Sequence, residues 1–321
     1  MSQGKHLVIA LDLGGTQFRV ALANDKGEIL RRYAEPINSP DEPERTLARM
    51  RDAFSEMLTG IDRAEVRGMG AAVTGLIKPS SGVLLTSPNL LAWYNTPLKD
   101  IWERDLQVPV WVCNDANLAA LGERRFGAGK GANDLVYLTV STGIGGGVVI
   151  GGSLLVGSAG FGAELGHMTI DLNGPKCNCG NVGCLEVLAS GTAIARLAVE
   201  RIARGDASAV ADRANGDLNK VTAEMVAQAA ASGDALAQEV MDRAGTNLGV
   251  GVVSLIHIFN PELVVIGGGC SKAGDLLFGP VRRIVAERTI PDIEVNVVPA
   301  ALGDDSGLLG AVAVVLEETS R

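Results

Sequence analysis

One segment of the chain occurs twice, and this repeat limits the folds open to it. An apolar strand, a glycine-rich turn and a second strand are predicted at residues 7–30 (LVIALDLGGTQFRVALANDKGEIL) and again at 135–155 (LVYLTVSTGIGGGVVIGGSLL). When the two turns are aligned, Asp12 falls on Ser141 and Gly14 falls on Gly143. The repeat favours two related α/β domains, although two unrelated glycine-rich hairpins could also match by chance.

Composition excludes several classes of protein. A formal net charge of −9 over 321 residues, with no long Lys/Arg run, argues against a nucleic-acid-binding surface. No uncharged apolar stretch reaches 18 residues, so no membrane span is expected, and Asp12 interrupts the first apolar run, which favours a buried strand over a signal peptide. Five cysteines are an odd count that fits a disulfide framework poorly. We therefore expect a cytoplasmic protein.

The rest of the chain alternates between helix and strand signals, as α/β domains do. We predict, in chain order, an acidic amphipathic helix at about 41–60, a strand at 66–74, a strand at 108–116 leading into a helix at 117–127, a polar loop or linker at 206–220, a long helix at about 234–258 that ends at Asn260-Pro261, a buried strand at 262–269 and a closing helix at about 306–321.

Three glycine turns follow apolar strands: DLGGT (12–16), STGIGGG (141–147) and VVIGGG (264–269). Glycine lets backbone N–H groups approach an anion closely, so the turns indicate nucleotide phosphate binding, with tight structural hairpins as the alternative. GAGKG at 127–131 is not a P-loop, because Arg124 stands where its first glycine belongs and Gly131 replaces the Ser/Thr. Dinucleotide-binding and serine-hydrolase motifs are not found either.

Five motifs follow in a fixed order: DLGGT at 12–16, NDAN at 114–117, STGIGGG at 141–147, GAELGH at 162–167 and CNCGNVGCLE at 177–186. Together they cover most of the chain, and the set resembles the ROK family of sugar kinases. Within that family, SPNLLAW at 87–93 and the cysteine spacing are most similar to bacterial glucokinases.

The resemblance implies a definite architecture. The family has an actin-like ATPase fold, in which two ribonuclease-H-like α/β domains face each other across a cleft. We expect a small domain at residues 1–116, on which the closing helix packs, and a large domain at 117–305 that carries a zinc-binding loop. ROK repressors have a helix-turn-helix domain before the first glycine turn, and with that turn at residue 12 we expect none here.

The resemblance also implies an activity, the ATP-dependent phosphorylation of a hexose, with glucose converted to glucose 6-phosphate. Asp115 follows an apolar strand and begins a helix, where it could act as the base on the acceptor hydroxyl or simply cap the helix. The alternatives are a kinase for another hexose or an N-acetylhexosamine, a non-catalytic sugar-sensing protein, and a sugar-free actin-like ATPase.

The family's site residues carry over by motif. One departure is Thr74, which stands where many relatives have proline before the glycine. The residues assigned to the sugar are Asn89, Asn114, Asp115, Glu164, His167 and Glu186. The residues assigned to ATP and its Mg²⁺ are Asp12, Gly14, Gly15, Thr16, Thr142, Gly143, Gly267 and Gly268.

The cysteine-rich stretch indicates a metal site. His167, Cys177, Cys179 and Cys184 form a Cys₃His set typical of a closed structural zinc site, with three buried thiols or a redox device as the alternative. One imidazole nitrogen of His167 would bind zinc, and the resemblance directs the other nitrogen at the sugar. His257, in SLIHIF, has no such setting and is predicted to be a packed, hydrogen-bonded core histidine.

The expected partners are the hexose and ATP, with neither nucleic acid nor membrane. We expect a homo-oligomer, either a dimer or a tetramer.

Overall fold

A computed structural model describes residues 6–37 and 43–320. The strands in this part of the chain are β1 (Leu7–Leu13), β2 (Gln17–Asn24), β3 (Ile29–Pro36), β4 (Val66–Val73), β5 (Leu76–Lys78), β6 (Val83–Thr86), β7 (Thr96–Pro97), β8 (Val110–Asn114), β9 (Leu135–Val140), β10 (Ile144–Ile150), β11 (Ser153–Leu154), β12 (Leu263–Gly267) and β13 (Asn296–Pro299). The α-helices are α1 (Pro43–Met57), α2 (Leu98–Leu106), α3 (Asp115–Phe126), α4 (Leu185–Ala189), α5 (Gly191–Ala203), α6 (Ala209–Arg213), α7 (Ala223–Ala231), α8 (Ala235–Phe259), α9 (Asp275–Arg288) and α10 (Ser306–Glu318).

The chain divides into two compact units, and it passes between them more than once. Unit 1 comprises residues 1–131, 154–163 and 301–321, and unit 2 comprises residues 132–153 and 164–300. None of the helices within residues 6–37 and 43–320 combines the length and the apolar character that crossing a bilayer would require.

Unit 1 is built on a five-stranded sheet in the order β3-β2-β1-β4-β8. β1 pairs antiparallel with β2 and parallel with β4, and β4 pairs parallel with β8. The central strands read as continuous apolar runs because both faces of the sheet are covered. α10 lies on this sheet so closely that a Cβ on Gly70 would stand 1.9 Å from the carbonyl oxygen of Ala311.

Unit 2 repeats the same plan with different residues. Its sheet has the order β11-β10-β9-β12-β13, in which β9 pairs antiparallel with β10 and parallel with β12. β12 in turn pairs parallel with β13, as β4 does with β8 in unit 1. The two sheets therefore match strand for strand, and the duplication predicted from residues 7–30 and 135–155 is confirmed.

Several predicted elements are found close to their expected bounds. The long helix is α8; it ends where Asn260 takes a left-handed conformation (φ 43°) before Pro261. The helix predicted at 41–60 is α1, and residues 41 and 42 lie outside the described part. The prediction of a loop at 206–220 is wrong in part, since α6 lies within it and buries Val210 completely.

Candidate active site

The polar residues of unit 1 meet where three parallel strands end. Asp12 is the next-to-last residue of β1, Thr74 follows β4 directly, and Asp115 follows β8. Since β1, β4 and β8 are neighbours running in the same direction, their carboxyl ends share one edge of the sheet. The Thr74 hydroxyl donates a hydrogen bond of 2.8 Å to Oδ2 of Asp115. Thr74, which stands out in the sequence only as a departure from the family, is thus bonded to the predicted base.

Asn114 and Asp115 divide two roles at the start of α3. Oδ1 of Asn114 caps the helix by accepting the N–H groups of Ala116 (3.0 Å) and Asn117 (3.3 Å), and its Nδ2 donates to the Gly75 carbonyl (3.3 Å). Asp115 is the first helical residue, where the positive end of the helix dipole favours a carboxylate. The cap is thus Asn114, and the Asp115 carboxylate stands beside it, held by Thr74.

Asp12 is paired with a residue that the sequence analysis missed. Arg19 lies opposite it on β2, and the guanidinium donates to Oδ2 of Asp12 through both Nε (3.1 Å) and a terminal nitrogen. Burial raises the pKa of Asp12 above its usual range; Arg19 lowers it, and the negative charge of Asp115 raises it further. Alternation along β2 could have revealed Arg19, since residues one apart from the buried Phe18 and Val20 face the other side of the strand.

The first glycine turn, Gly14 to Thr16, connects β1 and β2. Gly14 N–H donates to the carbonyl of Gln17 (3.1 Å), which closes the turn. A Cβ on Gly15 would stand 2.4 Å from the Cβ of Asn89, so glycine is needed for the loop that carries Asn89 to approach. The structure therefore brings Asn89, predicted to bind sugar, against the turn predicted to bind phosphate.

In unit 2, Glu186 reaches the glycine turn between β9 and β10. Its Oε2 accepts the N–H of Ile144 (3.0 Å), and a Cβ on Gly143 would lie 2.4 Å from that same oxygen. The other side of the turn is held by α5, where Gly191 N–H donates to the Ser141 carbonyl (2.7 Å).

The third glycine turn ends β12, beside the end of β9. Gly268 has a φ of 83°, and a Cβ there would lie 2.4 Å from the Val140 carbonyl oxygen, so no other residue fits this position well. Gly267 and Gly268 thus bring the chain close to β9, and it is the next residue, Gly269, that lines a neighbouring cavity.

That cavity has a volume of about 880 Å³ and lies wholly within unit 2. Thr142 lines it, and the walls include residues of α5 and α7 that the sequence analysis did not identify, among them Gln228. Cys270 also lines it, and burial raises the pKa of this thiol to about 11, so it stays protonated at neutral pH. A cavity of this size, bounded by two glycine turns, is within the range of small-molecule sites.

The four predicted metal ligands converge. His167, Cys177, Cys179 and Cys184 each offer one ligand atom, and these atoms all lie within 4.8 Å of one another. Two thiolates on one tetrahedral zinc ion lie roughly 3.8 Å apart, given zinc–sulfur bonds of about 2.3 Å. The Sγ atoms of Cys179 and Cys184 are 3.7 Å apart, and Nδ1 of His167 is 3.8 Å from Sγ of Cys177. The donor set therefore fits a tetrahedral metal ion, with Nδ1 as the histidine ligand.

Glu164 precedes a short 3₁₀ turn, Leu165–His167, which ends with His167 and packs on β10. A Cβ on Gly166 would stand 1.9 Å from the Ile144 carbonyl oxygen. Ile144 therefore contacts both the segment that carries Glu164 and His167 and the side chain of Glu186. The glycines predicted to bind ATP at positions 267 and 268 lie elsewhere, at the end of β12.

Two further side chains differ from what the sequence indicated. His257 is exposed on the last turn of α8, where its Nε2 accepts the Ile290 N–H (3.1 Å), so its prediction as a core residue is wrong and only its hydrogen bond is confirmed.

Glu123, which was missed, is completely buried. Its carboxylate accepts the N–H groups of Ala128 (2.8 Å), Ala301 (3.1 Å) and Leu302 (2.8 Å). Glu123 lies seven residues after the buried Ala116 on α3, which places both on the same face of the helix. This spacing could have identified Glu123 as buried from the sequence.

Comparison with known proteins yields a consistent set of matches. The family model described as "ROK family" matches residues 8–318. A glucokinase of Thermotoga maritima is 41% identical over 97% of both chains. A xylose repressor of Caldicellulosiruptor bescii is 32% identical over 97% of this chain and 78% of its own. The crystal structure of a ROK family glucokinase from Streptomyces griseus, in complex with glucose and AMPPNP, superposes with a TM-score of 0.82 at 32% identity, covering 96% of this chain and 98% of that one.

Proposed function

The chain belongs to the ROK family, and from that premise we propose that it transfers the γ-phosphoryl group of ATP to glucose, forming glucose 6-phosphate. The observation that carries the proposal is the match to glucokinases along the whole chain, with Asp115 in place at the end of β8. The actin-like ATPase fold with two ribonuclease-H-like domains agrees with the two matching sheets.

We assign the acceptor hydroxyl to Asp115. Phosphoryl transfer depends mainly on positioning and on charge stabilisation, aided by a group that accepts the hydroxyl proton. The Thr74 bond to Oδ2 supports this role, because it fixes the orientation of the carboxylate. We propose that Asn89, Asn114, Glu164, His167 and Glu186 bind the other sugar hydroxyls. Both polar atoms of the Asn114 side chain already bond to the main chain, so its contribution to sugar binding is the least supported of these.

We assign the nucleotide to the 880 Å³ cavity and the glycine turns beside it. Backbone N–H groups of such turns suit phosphate oxygens. Bound Mg²⁺ would neutralise charge on the β- and γ-phosphates. Asp12 is proposed to face this metal, and Arg19 keeps its partly buried carboxylate in one orientation. Gly14, Gly15, Thr16, Thr142, Gly143, Gly267 and Gly268 complete the proposed ATP-binding set.

We propose that His167, Cys177, Cys179 and Cys184 hold a structural zinc ion. Four protein ligands leave no open position for a reacting water, so zinc would supply fold stability and an orientation for His167. With Nδ1 as the ligand, Nε2 carries the N–H that is proposed to donate to the sugar.

We also propose a cellular context and an assembly for the protein. A glucokinase supplies glucose 6-phosphate to glycolysis, which fits the cytoplasmic location proposed for this chain. A homodimer or a tetramer is proposed for the assembly, and sedimentation velocity would measure it. We also propose that the chain is divided into a domain of residues 1–116 and a domain of residues 117–305.

One alternative is a non-catalytic sugar-sensing protein, since a xylose repressor is among the relatives, at lower identity than the glucokinase. The test is a coupled assay of ADP release with a panel of hexoses and N-acetylhexosamines and with several phosphoryl donors. We expect glucose and ATP to give the highest kcat/KM. Absence of turnover with every sugar, despite measurable glucose binding, would favour the sensor.

Asp115→Ala and Asp115→Asn should each lower kcat by at least about 10²–10⁴-fold, the usual contribution of general-base catalysis. Binding of glucose and AMPPNP should stay measurable by calorimetry. Asp100→Asn, an exposed carboxylate of α2 in the same unit, is the matched control and should keep wild-type kcat. An Asp115→Ala variant within a few-fold of wild type would remove Asp115 from the catalytic role.

A further inference from the structure

We propose that Glu186 serves two sites at once. One carboxylate oxygen binds a sugar hydroxyl, and the other holds the turn between β9 and β10 in the shape that receives the nucleotide phosphates. The inference rests on the proposed function, because it takes Glu186 as a sugar ligand. Its consequence is that sugar affinity and nucleotide affinity are linked through one side chain of unit 2.

The first observation is the contact between Glu186 and the turn. Oε2 accepts the N–H of Ile144 at 3.0 Å, and the same oxygen occupies the space that a side chain on Gly143 would need. A bond from a backbone N–H to a carboxylate is charge-assisted and strongly directional. The carboxylate therefore fixes the turn, and its second oxygen is the one assigned to the sugar.

The second observation concerns the carbonyl of Ile144. Gly166 lies against it so closely that a Cβ would stand 1.9 Å from the oxygen. Gly166 belongs to the turn that carries Glu164 and His167, which are also assigned to the sugar. Both polar groups of the Ile144 backbone thus touch segments that carry proposed sugar ligands.

The third observation is that the rest of the turn is held by the helix that follows Glu186. Gly191 N–H donates to the Ser141 carbonyl (2.7 Å), and the Thr192 hydroxyl donates to the Thr142 carbonyl (2.7 Å). Ser141, Thr142, Gly191 and Thr192 all line the cavity assigned to the nucleotide. Ile144 directly follows this turn and is bonded to Glu186. A displacement of Glu186 would therefore move Ile144 and, with it, the turn that forms part of the cavity wall.

The first experiment compares Glu186→Gln with Glu186→Ala, using AMPPNP as the probe and calorimetry to measure Kd. Glutamine retains a side-chain oxygen that can accept the Ile144 N–H, whereas alanine does not. Both variants should bind glucose more weakly. Only Glu186→Ala should also weaken AMPPNP binding, by about tenfold, as expected for one lost hydrogen bond. Glu186→Met, which fills the space without an acceptor, replaces Glu186→Ala if that variant does not fold.

The second experiment displaces the carboxylate without changing it. Gly143→Ala puts a methyl group 2.4 Å from Oε2, at a position whose φ does not require glycine. It should raise the glucose Kd about tenfold, although Gly143 belongs to the nucleotide turn. Gly279→Ala is the matched control, because it adds a methyl group at an exposed position of α9 in the same unit, where nothing lies within 4 Å of it. It should leave the glucose Kd unchanged.

A double-mutant cycle tests whether the methyl group acts through Glu186. In the Glu186→Ala background, Gly143→Ala should no longer change the glucose Kd. Equal AMPPNP Kd values in the Gln and Ala variants, or a normal glucose Kd in Gly143→Ala, would overturn the inference. If the wild-type protein in the same preparation still phosphorylates glucose, the proposed function survives that result. A wild-type protein that phosphorylates no glucose would instead refute the proposed function.

Discussion

At the scale of single residues, Thr74 is hydrogen-bonded directly to the proposed base, Asp115. Its hydroxyl donates to Oδ2 of Asp115, while Oδ1 accepts the Ala116 N–H at 2.9 Å, so both carboxylate oxygens are oriented by the protein. Proline, which the family resemblance leads us to expect at this position, would supply no such hydroxyl. Thr74 therefore gives this chain its own means of orienting the carboxylate.

Thr74→Val should lower kcat about tenfold and change the KM values for glucose and ATP less, because it removes one hydrogen bond to a charged group at the reacting end of the site. Thr74→Ser keeps a hydroxyl and should restore most of the lost kcat. Steady-state kinetics on both variants provide the measurement. Equal losses in the Val and Ser variants would show that the methyl group, not the hydrogen bond, is what matters.

Two substitutions in the Cys₃His loop should distinguish its role in metal binding and stability from the role of His167 in sugar binding. Cys179→Ser should lose metal and lower the melting temperature, with activity falling as the fold does. His167→Gln should retain part of the metal through the three thiolates but raise the glucose KM about 5- to 150-fold, since a lost bond in a polar site costs about 1–3 kcal/mol. Metal analysis, melting temperature and KM are measured on both variants. A His167→Gln protein that holds zinc and binds glucose normally would limit the loop to a structural role.

At the level of whole elements, α8 depends on its cap. Asp234 accepts the N–H groups of Ala237 (2.8 Å) and Ala209 (2.6 Å) and the hydroxyl of Ser208 (3.1 Å). Burial acts to raise the pKa of Asp234, but these hydrogen bonds outweigh it and hold the pKa below its usual value. The carboxylate therefore joins α8 to the segment that leads into α6.

The cap makes stability depend on pH in a known direction. Because the folded-state pKa of Asp234 is depressed, its contribution is complete above the unfolded pKa of about 3.9 and is lost as pH falls through the lower folded value. Asp234→Ala should cost about 1–2 kcal/mol in urea unfolding at neutral pH, and less below about pH 4. Ser190→Ala, which removes the uncharged cap of α5, is the control whose cost should not depend on pH. A cost for Asp234→Ala that stays constant with pH would contradict this account.

Elements with a strong local pattern were predicted well from the sequence. α8 and the paired hairpins carry long apolar runs and explicit stop signals, so their placement needs no tertiary information. The short α6 lacks such a run, and its single buried anchor, Val210, could not be recognised. The Arg19 pair, the Glu123 hydrogen bonds and the Glu186 contact depend on strand pairing and loop approach, which sequence spacing does not determine.

For the whole molecule, the two matching sheets show that one strand arrangement carries different chemistry in each unit. Each unit has the same order of five strands, and each places its glycine turn between the first two of them. The chemistry differs because the residues at, or just after, the carboxyl ends of the matching strands differ. Unit 1 has Asp12 and Asp115 at these positions, whereas unit 2 has the Glu186-bound turn and the cavity. The repeat therefore predicted the framework, and the individual roles came from the resemblance to the family.

The route of the chain through unit 1 has a consequence for how the protein is made. Its core includes α10, and the buried Glu123 binds the backbone of Ala301 and Leu302. These residues are synthesised after all of unit 2, whose last residue is 300. Unit 2 therefore needs no residue from 301 onward to complete its core. Unit 1 completes its core only after all of unit 2 has been made, and until then β1 and β4 lack α10, the helix that covers them.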